Sequence, residues 1–427
     1  MVRLPTQLPY RWIGKIEVGI TIIWLLYFMN VLLEDPLPDL INALSYPTIA
    51  VLFVLHWKRI LWVITRDLPL LLLVVTILAS AFWSNDIDRT LDASKAIVRM
   101  FLFGAYFTVR YSIKEQMKIL AWVVGIAAIF STAVVIVMPS YGIDPFHQAW
   151  KGIFAHKGML GDVMSFGAIL YLILALKDQK PNWLAWSGFV IATAINLLTD
   201  SASSLLSFIA MLSLMPLYQL VKQQYKLKAI LTSVGCIFAG GITIYILGNL
   251  ETILVDVLNQ DTGGRLSIWT LIIEKVMEDR AWFGYGLNAF WSSDAGTFVG
   301  LNAWSDARVA VEFNAHSSYV EMFAGLGIFG ILVYAISLIT TLFRAVMLLI
   351  TTKKIEFFWL IEFLVFAHIA GISNVGKIVS GASSYWVLYV SICLSTAVEY
   401  RRLRNNQKKP LNTRDIDRRY IHGKFQN

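Results

Sequence analysis

Arg265 and His316 stand near the two ends of a polar stretch in an otherwise apolar chain, and both could take part in group transfer. A guanidinium stays charged at physiological pH and offers a planar fork of donors that matches phosphate oxygens. Because Gly263 and Gly264 precede Arg265 where a helix is predicted to begin, a pyrophosphate could approach the backbone N–H groups there. Histidine is the side chain best suited to accept a proton near neutral pH. The pair could therefore hold a departing pyrophosphate and activate an acceptor.

Both residues also have a purely structural interpretation, which the local sequence leaves open. Arg265 could pair with Asp261 or Glu274 at a helix end, and His316 could bond a loop carbonyl at a membrane interface. Glu321 follows His316 at a helical offset of roughly 140°, so a direct pairing between the two is not assured. We expect Glu321 to belong to the substrate site, where it could serve a cation or a second arginine.

Arg99 is a third candidate, because it lies inside an apolar run. A charged side chain is costly in the bilayer, so such a residue is a functional candidate by default. Its predicted partner is Asp92 or an anionic lipid group, and the alternative is a structural ion pair. We include Arg99 among the residues expected to bind substrate.

A second basic segment runs from residue 150 to residue 158, just before another apolar run, and contains Lys151, His156 and Lys157. These side chains could hold anionic headgroups or sugar phosphates at the membrane surface. Asp162 and Asp200 are possible partners for them. The alternative is that the lysines extend along apolar surface to reach water, as lysines at helix ends commonly do.

The composition places these residues in an integral membrane protein. Of the 427 residues, 57% are hydrophobic and 15% are charged, whereas soluble domains have about 25% charged residues. Runs of the length that a helix needs to cross the hydrocarbon predict an all-α, polytopic chain of about twelve transmembrane helices. The predicted spans are residues 16–33, 41–56, 68–83, 94–110, 117–138, 158–176, 183–199, 201–220, 229–248, 317–343, 355–376 and 380–398. The second of them is short.

The distribution of Lys and Arg predicts the orientation, because cytoplasmic loops carry the excess. Most of these residues fall on the side that holds both termini, so both termini are predicted to be cytoplasmic. Residues 1–427 then form one transmembrane domain. It includes a large outer loop at 249–316 and a basic, flexible cytoplasmic tail at 399–427 that anionic lipid would attract. Because the net charge of +8 resides in these places, nucleic acid is not an expected partner.

The large outer loop is predicted to be structured, because it is rich in Trp, Tyr and Phe. From Arg265 to Asp279, apolar residues recur at helical spacing, which predicts an amphipathic helix lying on the membrane surface or on the helix bundle. Asp261 or Thr262 would cap this helix, and Gly284 and Gly286 would supply a turn after it. The apolar face is predicted to consist of Leu266, Trp269, Ile272, Ile273, Val276 and Met277.

The sequence contains no motif for a catalytic metal, a nucleotide or a dinucleotide, so no metal and no cofactor are expected. Cys236 and Cys393 both lie in apolar runs, which argues against a disulfide framework. No internal repeat is visible, and this weakens the case for an inverted-repeat transporter. The energy for a reaction must then come from an activated substrate or a gradient.

Taken together, the motifs resemble those of the O-antigen ligase and Wzy-type polymerase superfamily. They are Gly-Arg-Leu-Ser-Ile-Trp at 264–269, Phe-Gly-Tyr-Gly-Leu at 283–287, His-Ser-Ser-Tyr-Val-Glu at 316–321 and Gly-Leu-Gly-Ile-Phe-Gly at 325–330. The earlier Lys-Gly-Ile-Phe-Ala-His-Lys at 151–157 is similar to the ExoQ-like exopolysaccharide polymerase branch of that superfamily.

The resemblance implies a metal-independent glycosyltransferase of the GT-C type in the bacterial cytoplasmic (inner) membrane. Its donor would be a glycan on undecaprenyl pyrophosphate, and its acceptor a glycan or a lipid on the periplasmic side. Carried onto this chain, Arg265 matches the arginine that binds the pyrophosphate, and His316 matches the histidine that activates the acceptor hydroxyl. Ser317 stands where an asparagine is common. Flippase and chain-length regulator proteins are the protein partners that it implies.

Two other functions remain open on the sequence. A ligase of the same superfamily would transfer a finished glycan to lipid A core, to another lipid or to a protein. A transporter would also suit a chain of twelve spans, and Glu362, His368 and Lys377 are the residues that would support it. The size of the outer loop favours the enzyme over the transporter.

Overall fold

The computed structural model of the protein describes residues 11–29, 37–177, 181–222, 265–303, 314–379 and 383–407. Over these residues the chain is all-helical, and its only β-type pairing is one isolated antiparallel bridge between Ile143 and Trp150. The all-α prediction is confirmed. The helices are α1 (Arg11–Tyr27), α2 (Leu37–Ile64), α3 (Leu68–Ala79), α4 (Ile87–Arg110), α5 (Ile113–Val137), α6 (Pro139–Gly142), α7 (Lys157–Lys177), α8 (Trp183–Leu198), α9 (Ala202–Lys222), α10 (Arg265–Asp279), α11 (Asp294–Ala303), α12 (Ser318–Thr352), α13 (Ile355–Ser373) and α14 (Ser384–Gln407).

Five helices of this described part are long and apolar enough to cross a membrane: Asp39–Ile64, Ile113–Val137, Lys157–Lys177, Ser318–Thr352 and Ile355–Ser373. Leu68–Trp83, Trp183–Leu198 and Ala202–Tyr218 are shorter apolar helices. The protein is thus a polytopic membrane protein. The predicted span at 229–248 lies outside the described residues.

Several helices differ in length from the predicted spans. The second span was expected to be short, but α2 has 28 residues and continues through Pro47. Helix α4 begins at Ile87 rather than near residue 94, because Asp86 caps it by accepting the Arg89 N–H at 3.1 Å. Helix α14 continues to Gln407, so the start of the predicted flexible tail is helical, and residues 408–427 lie outside the described part.

The core lies between helices that are distant in sequence. Helix α4 packs against α2 and α14, and α12 packs against α3, α13 and α14. Helix α7 packs against α8 and α9. Large aromatic side chains fill this core, among them the fully buried Phe103, Phe107, Phe363, Phe366 and Trp386.

A second, smaller core lies outside this bundle core. It consists of buried side chains from α10, from the segment after it, from α11 and from the first turns of α12. These residues include Ile268, Ile272, Val276, Tyr285, Phe290, Val299 and Val320. Part of the polar stretch identified in the sequence therefore has a packed interior of its own.

The two ends of the bundle can be told apart along α3. At one end the ring of Phe283 contacts the rings of Trp83 and Phe329, with centroid distances of 5.2 and 5.7 Å. At the other end Asp67 and Arg344 form an ion pair. The helical segment from residue 68 to residue 83 separates these ends by about 25 Å. His316 belongs to the first end, because it immediately precedes α12.

Candidate functional site

Helix α10 begins at Arg265 and lies against α11 and α12. The predicted amphipathic helix is confirmed, and of the two predicted locations the structure has it on the bundle. Its predicted apolar face is confirmed in part: Ile272 and Val276 are buried, and Trp269 packs against the smaller core. Ile268, Ile272 and Val276 are the buried residues, whereas Ile273 and Met277 are exposed. The proposed caps, Asp261 and Thr262, lie outside the described residues.

The turn before His316 contacts α10 directly. The indole N–H of Trp269 donates to the carbonyl of Ala315 at 2.6 Å. Trp269 is one helical turn after Arg265. The first residue of α10 is thereby close in the fold to the turn that carries His316.

His316 has a left-handed backbone conformation, with φ of 49°. This conformation is uncommon for a residue with a side chain, so the surroundings must stabilise it. The His316 N–H donates to Asn314 Oδ1 at 2.9 Å, and the side chain is half-buried. Ser317 is the N-terminal cap residue of α12. The imidazole therefore leaves the chain at a constrained turn rather than from a regular helix.

Glu321 stabilises the same turn from inside α12. Its carboxylate accepts the Trp291 indole N–H at 3.0 Å and also the backbone N–H of Ala315. Trp269 and Glu321 thus bind opposite backbone groups of Ala315. Glu321 was predicted to bind substrate. In the described part of the chain its carboxylate accepts hydrogen bonds from protein groups, which hold the turn beside His316.

The predicted glycine turn packs along α12 just after this region. The N–H groups of Tyr285 and Gly286 donate to the carbonyls of Ala324 and Gly325 at 3.0 and 2.9 Å. These carbonyls are free to accept because α12 is interrupted at Gly327, where φ is 63° and ψ is −164°. The break in α12 thus accepts hydrogen bonds from the neighbouring turn segment.

Two glycines are required by contact as well as by conformation. A Cβ on Gly284 would lie 2.7 Å from the Ala324 carbonyl oxygen, and one on Gly327 would lie 2.5 Å from the Trp282 carbonyl oxygen. Both residues have positive φ. The segment from Trp282 to Gly286 is consequently held against α12 with little freedom.

The two lysines of the second basic segment, Lys151 and Lys157, both contact protein groups. Lys157 is buried at the start of α7, and its ammonium donates to the Asp200 carbonyl at 2.9 Å and lies 3.6 Å from the Asp200 carboxylate. The predicted partnership with Asp200 is confirmed. Lys151 Nζ lies 5.3 Å from the centre of the Tyr141 ring, a cation–π distance.

His156 precedes this helix and accepts the Gly158 N–H on Nδ1 at 3.1 Å. Partial burial of the ring lowers the pKa of His156, and the adjacent Lys157 ammonium acts in the same direction. A neutral imidazole that accepts on Nδ1 carries its proton on Nε2. In its neutral form His156 can therefore donate a hydrogen bond to a ligand.

Asp162 pairs with Lys377 and not with the lysines of its own segment, which corrects the predicted partnership. The Lys377 ammonium lies 2.8 Å from Asp162 Oδ2, and both side chains are buried. Burial alone would lower the pKa of Lys377, but the Asp162 carboxylate outweighs it and the pKa is raised above its ordinary value. Ser204 donates to the other Asp162 oxygen at 2.9 Å.

This buried pair reaches the start of α12. Lys377 donates its backbone N–H to Ser318 Oγ at 3.0 Å, and Ser318 donates to the Asn374 carbonyl at 2.7 Å. Ser318 is two residues after His316. From the sequence, Lys377 was a candidate only for a transporter. The sequence signal for its pairing with Asp162 is that Lys377 is a lone basic residue beside a helix end. The pair connects α7 to the turn of His316.

Arg99 lies deeper, in the contact between α4 and α2. Its guanidinium donates to the Asn42 side chain and to Ser45 Oγ, the latter at 2.7 Å, and lies 4.5 Å from the centre of the Tyr46 ring. The predicted partner Asp92 instead bonds Lys95 at 3.0 Å. The structure thus brings Arg265, Glu321 and His316 into one region and places Arg99 in a separate contact. Helix α7, which begins at Lys157, is connected to that region through Asp162 and Lys377.

Of the residues that would support a transporter, His368 has protein partners. Tyr334 Oη lies 2.8 Å from its Nε2, and its Nδ1 contacts the Leu364 carbonyl. Glu362 is fully buried, and neither of its oxygens has a hydrogen-bond partner in the described part of the chain.

The fold and the site together define a polytopic membrane protein with a polar site at one end of its helix bundle. Residues 187–335 match the family model described as O-Antigen ligase. The match supports the O-antigen ligase and Wzy-type superfamily, to which the motifs also pointed. No curated protein matches the chain.

The matched region has a clear relation to the site. It includes Arg265, His316 and Glu321, and it ends inside α12. Arg99, Lys157 and Lys377 lie outside it. Members of this family transfer glycosyl groups, so the match supports a membrane function of the O-antigen ligase or polymerase type.

Proposed function

We propose that the protein is a membrane glycosyltransferase that extends a glycan carried on undecaprenyl pyrophosphate, in the manner of an exopolysaccharide or O-antigen polymerase. The observation that carries the proposal is the contact between Trp269 and Ala315, because it brings the start of α10 next to the turn of His316. Arg265, which is suited to bind pyrophosphate, and His316, which is suited to accept a proton, would then act on the same substrate. The other features of the proposal depend on the superfamily.

In the proposed reaction, an acceptor hydroxyl oxygen forms a bond to C1 of the donor glycan. The bond between C1 and the phosphate oxygen breaks, and the electron pair leaves with the lipid pyrophosphate. The hydroxyl proton passes to His316, a step worth about 100- to 10,000-fold in rate for a positioned general base. Arg265 stabilises the charge on the departing pyrophosphate without reorganisation. Because an arginine carries this role, the proposed chemistry is metal-independent and needs no cofactor.

Other cations of the outer end are assigned to substrate in the same proposal. Lys151, His156 and Lys157 would contact the sugar phosphate or the headgroup region. Arg99, which lies in the separate contact between α4 and α2, would stabilise the bundle there. Glu321 would act mainly by positioning His316. These assignments are supported by the connection through Asp162 and Lys377 to the start of α12.

The arrangement in the membrane is also part of the proposal. It has about twelve spans, a GT-C-like architecture, both termini in the cytoplasm and residues 249–316 on the periplasmic face of the cytoplasmic membrane. Residues 1–427 would form one transmembrane domain, and 399–427 would face the cytoplasm. Flippase and chain-length regulator proteins are the expected partners.

The family description favours one further candidate, a ligase that transfers the finished glycan to lipid A core or another acceptor. Deletion of the gene separates the two. A polymerase mutant would accumulate single repeat units on the lipid carrier, whereas a ligase mutant would accumulate long polymer that is not attached to its acceptor. Accumulation of single repeat units would support the polymerase. Accumulation of long unattached polymer would support the ligase instead.

A further inference from the structure

At the end of the bundle opposite His316, three arginines surround one buried carboxylate. Arg344 Nη1 lies 2.5 Å from Asp67 Oδ2, and the Asp67 side chain is only 1% exposed. Asp67 Oδ1 accepts the backbone N–H of Leu70 at 3.1 Å, so Asp67 also caps α3. Arg344 is thus held in place by a carboxylate that itself has little freedom.

Arg66 and Arg401 complete the cluster and are not neutralised. Arg401 donates to the Arg66 carbonyl at 3.4 Å, and the Arg66 guanidinium lies 4.5 Å from the centre of the Trp62 ring. Within the described ranges, neither arginine has a carboxylate within ion-pair distance. The buried Nε of Arg66 also has no hydrogen-bond partner there. Three positive charges therefore share the one negative charge of Asp67.

The side chains around the cluster are apolar and exposed. Trp62 in α2 is 48% exposed, and Phe343 in α12 is 55% exposed. The Tyr400 ring contacts Phe343 edge to face, with centroids 6.2 Å apart. Aromatic residues at the end of membrane helices mark the level of the lipid headgroups. The guanidiniums therefore lie where acyl chains meet headgroups.

We propose that Arg66, Arg344 and Arg401 bind the phosphodiester headgroup of an anionic phospholipid, whose acyl chains lie along Trp62 and Phe343. Guanidinium forks match phosphate oxygens, and the two uncompensated charges supply the attraction. Basic pockets between membrane helices are the known setting for such headgroups. Free phosphate offers the same chemistry, but it leaves the exposed aromatic side chains without an occupant.

The site would join three parts of the fold that do not follow one another in sequence. Arg66 is in the turn between α2 and α3, Arg344 is in α12, and Arg401 is in α14. His316 lies two residues before the start of α12. Lipid bound at the other end of this helix would therefore stabilise the scaffold of the candidate site from the opposite leaflet. The proposal itself does not depend on the reaction that the protein catalyses.

Lipid binding by the purified full-length protein in detergent tests the proposal. Native mass spectrometry would measure the binding of phosphatidylglycerol and of phosphatidylcholine with the same acyl chains. The variant Arg66→Gln/Arg401→Gln is compared with Arg402→Gln, because Arg402 adjoins Arg401 but already pairs with Glu399. At roughly three- to fivefold in affinity for each arginine, we expect the double variant to bind phosphatidylglycerol about 10- to 30-fold more weakly.

The control variant should bind phosphatidylglycerol like the wild type, and phosphatidylcholine should bind weakly to all three proteins. Inorganic phosphate in excess should not displace the lipid. Equal binding of phosphatidylglycerol by the double variant and the control would overturn the proposal, as would equal binding of phosphatidylcholine or displacement by phosphate alone. Arg401 is exposed, so the single variant Arg401→Gln serves as the test if the double variant does not fold. Its expected loss is about three- to fivefold.

Discussion

The indole N–H of Trp269 and the carbonyl of Ala315 are joined by a hydrogen bond of 2.6 Å. This bond connects the helix that begins at Arg265 to the turn that carries His316. On the other side of the same residue, the Ala315 N–H donates to Glu321. The turn is thus held by two helices, so its geometry depends on side chains that need not contact the substrate.

Replacing Trp269 by Phe should lower activity without unfolding the protein. The ring is kept, but the N–H that binds the Ala315 carbonyl is lost, at a cost of about 1 kcal/mol in stability. Because catalytic groups tolerate little displacement, we expect at least a tenfold loss of glycan extension. Extension assays in membranes would measure the rate. Trp282→Phe is the matched control, since the Trp282 ring is 63% exposed. Equal rates for the two variants would show that the contact does not position the site.

Two substitutions distinguish a positioning role of Glu321 from a direct action of its negative charge on the substrate. Glu321→Gln keeps an oxygen that can accept from Trp291 and Ala315, whereas Glu321→Ala removes it and costs about 1 to 3 kcal/mol. If Glu321 positions the turn, the Gln variant should retain most of its activity and the Ala variant should retain little. Both are measured as the rate of glycan extension and as the melting temperature. Equal loss in the two variants would mean that the negative charge itself acts on the substrate.

The break in α12 predicts a large effect of Gly327→Ala. The added Cβ would lie 2.5 Å from the Trp282 carbonyl oxygen, and the backbone conformation of Gly327 is one that only glycine adopts readily. We expect a loss of at least about 2 kcal/mol, measured as a lower melting temperature in detergent. Gly19→Ala should have little effect, because a Cβ on Gly19 would meet nothing within 4 Å. Similar melting temperatures for the two variants would contradict the described break.

The buried pair of Asp162 and Lys377 predicts strong coupling. Asp162→Asn or Lys377→Met alone leaves a buried charge without its partner, at a cost of about 3 to 5 kcal/mol. The double variant leaves neither charge and should be more stable than either single variant. A thermal-unfolding double-mutant cycle measures this coupling. The exposed pair of Asp92 and Lys95 serves as the control cycle, with an expected coupling below about 1 kcal/mol. Additive losses at Asp162 and Lys377 would mean that they do not interact.

The sequence predicted most of the scaffold but only part of the site. The apolar runs located helices, and five of those in the described part are long and apolar enough to cross a membrane. The spacing in residues 265–279 also predicted α10. It did not reveal that Ile268 rather than Ile273 faces the core, since adjacent apolar residues leave the centre of the face undetermined. Packing against α11 and α12 decides it.

The contacts between distant segments could not be predicted in the same way. Asp162 follows a basic segment closely, so the nearby lysines were the expected partners, yet Lys377 reaches it from the other end of the chain. Likewise, the break at Gly327 could not be inferred from residues 325–330 without knowledge of the segment that packs there. The identities of Arg265 and His316 as candidates, by contrast, follow from the chemistry of their side chains and from the motifs around them.

The most direct test of the central claim is chain extension by the purified protein in liposomes that contain a lipid-pyrophosphate glycan. We expect the wild type to produce elongated glycan and to release lipid pyrophosphate. His316→Ala and Arg265→Ala should each abolish elongation, while the level and the melting temperature of the protein stay unchanged. Elongation at the wild-type rate by either variant would contradict the account, and so would solute flux through the wild type with no elongation.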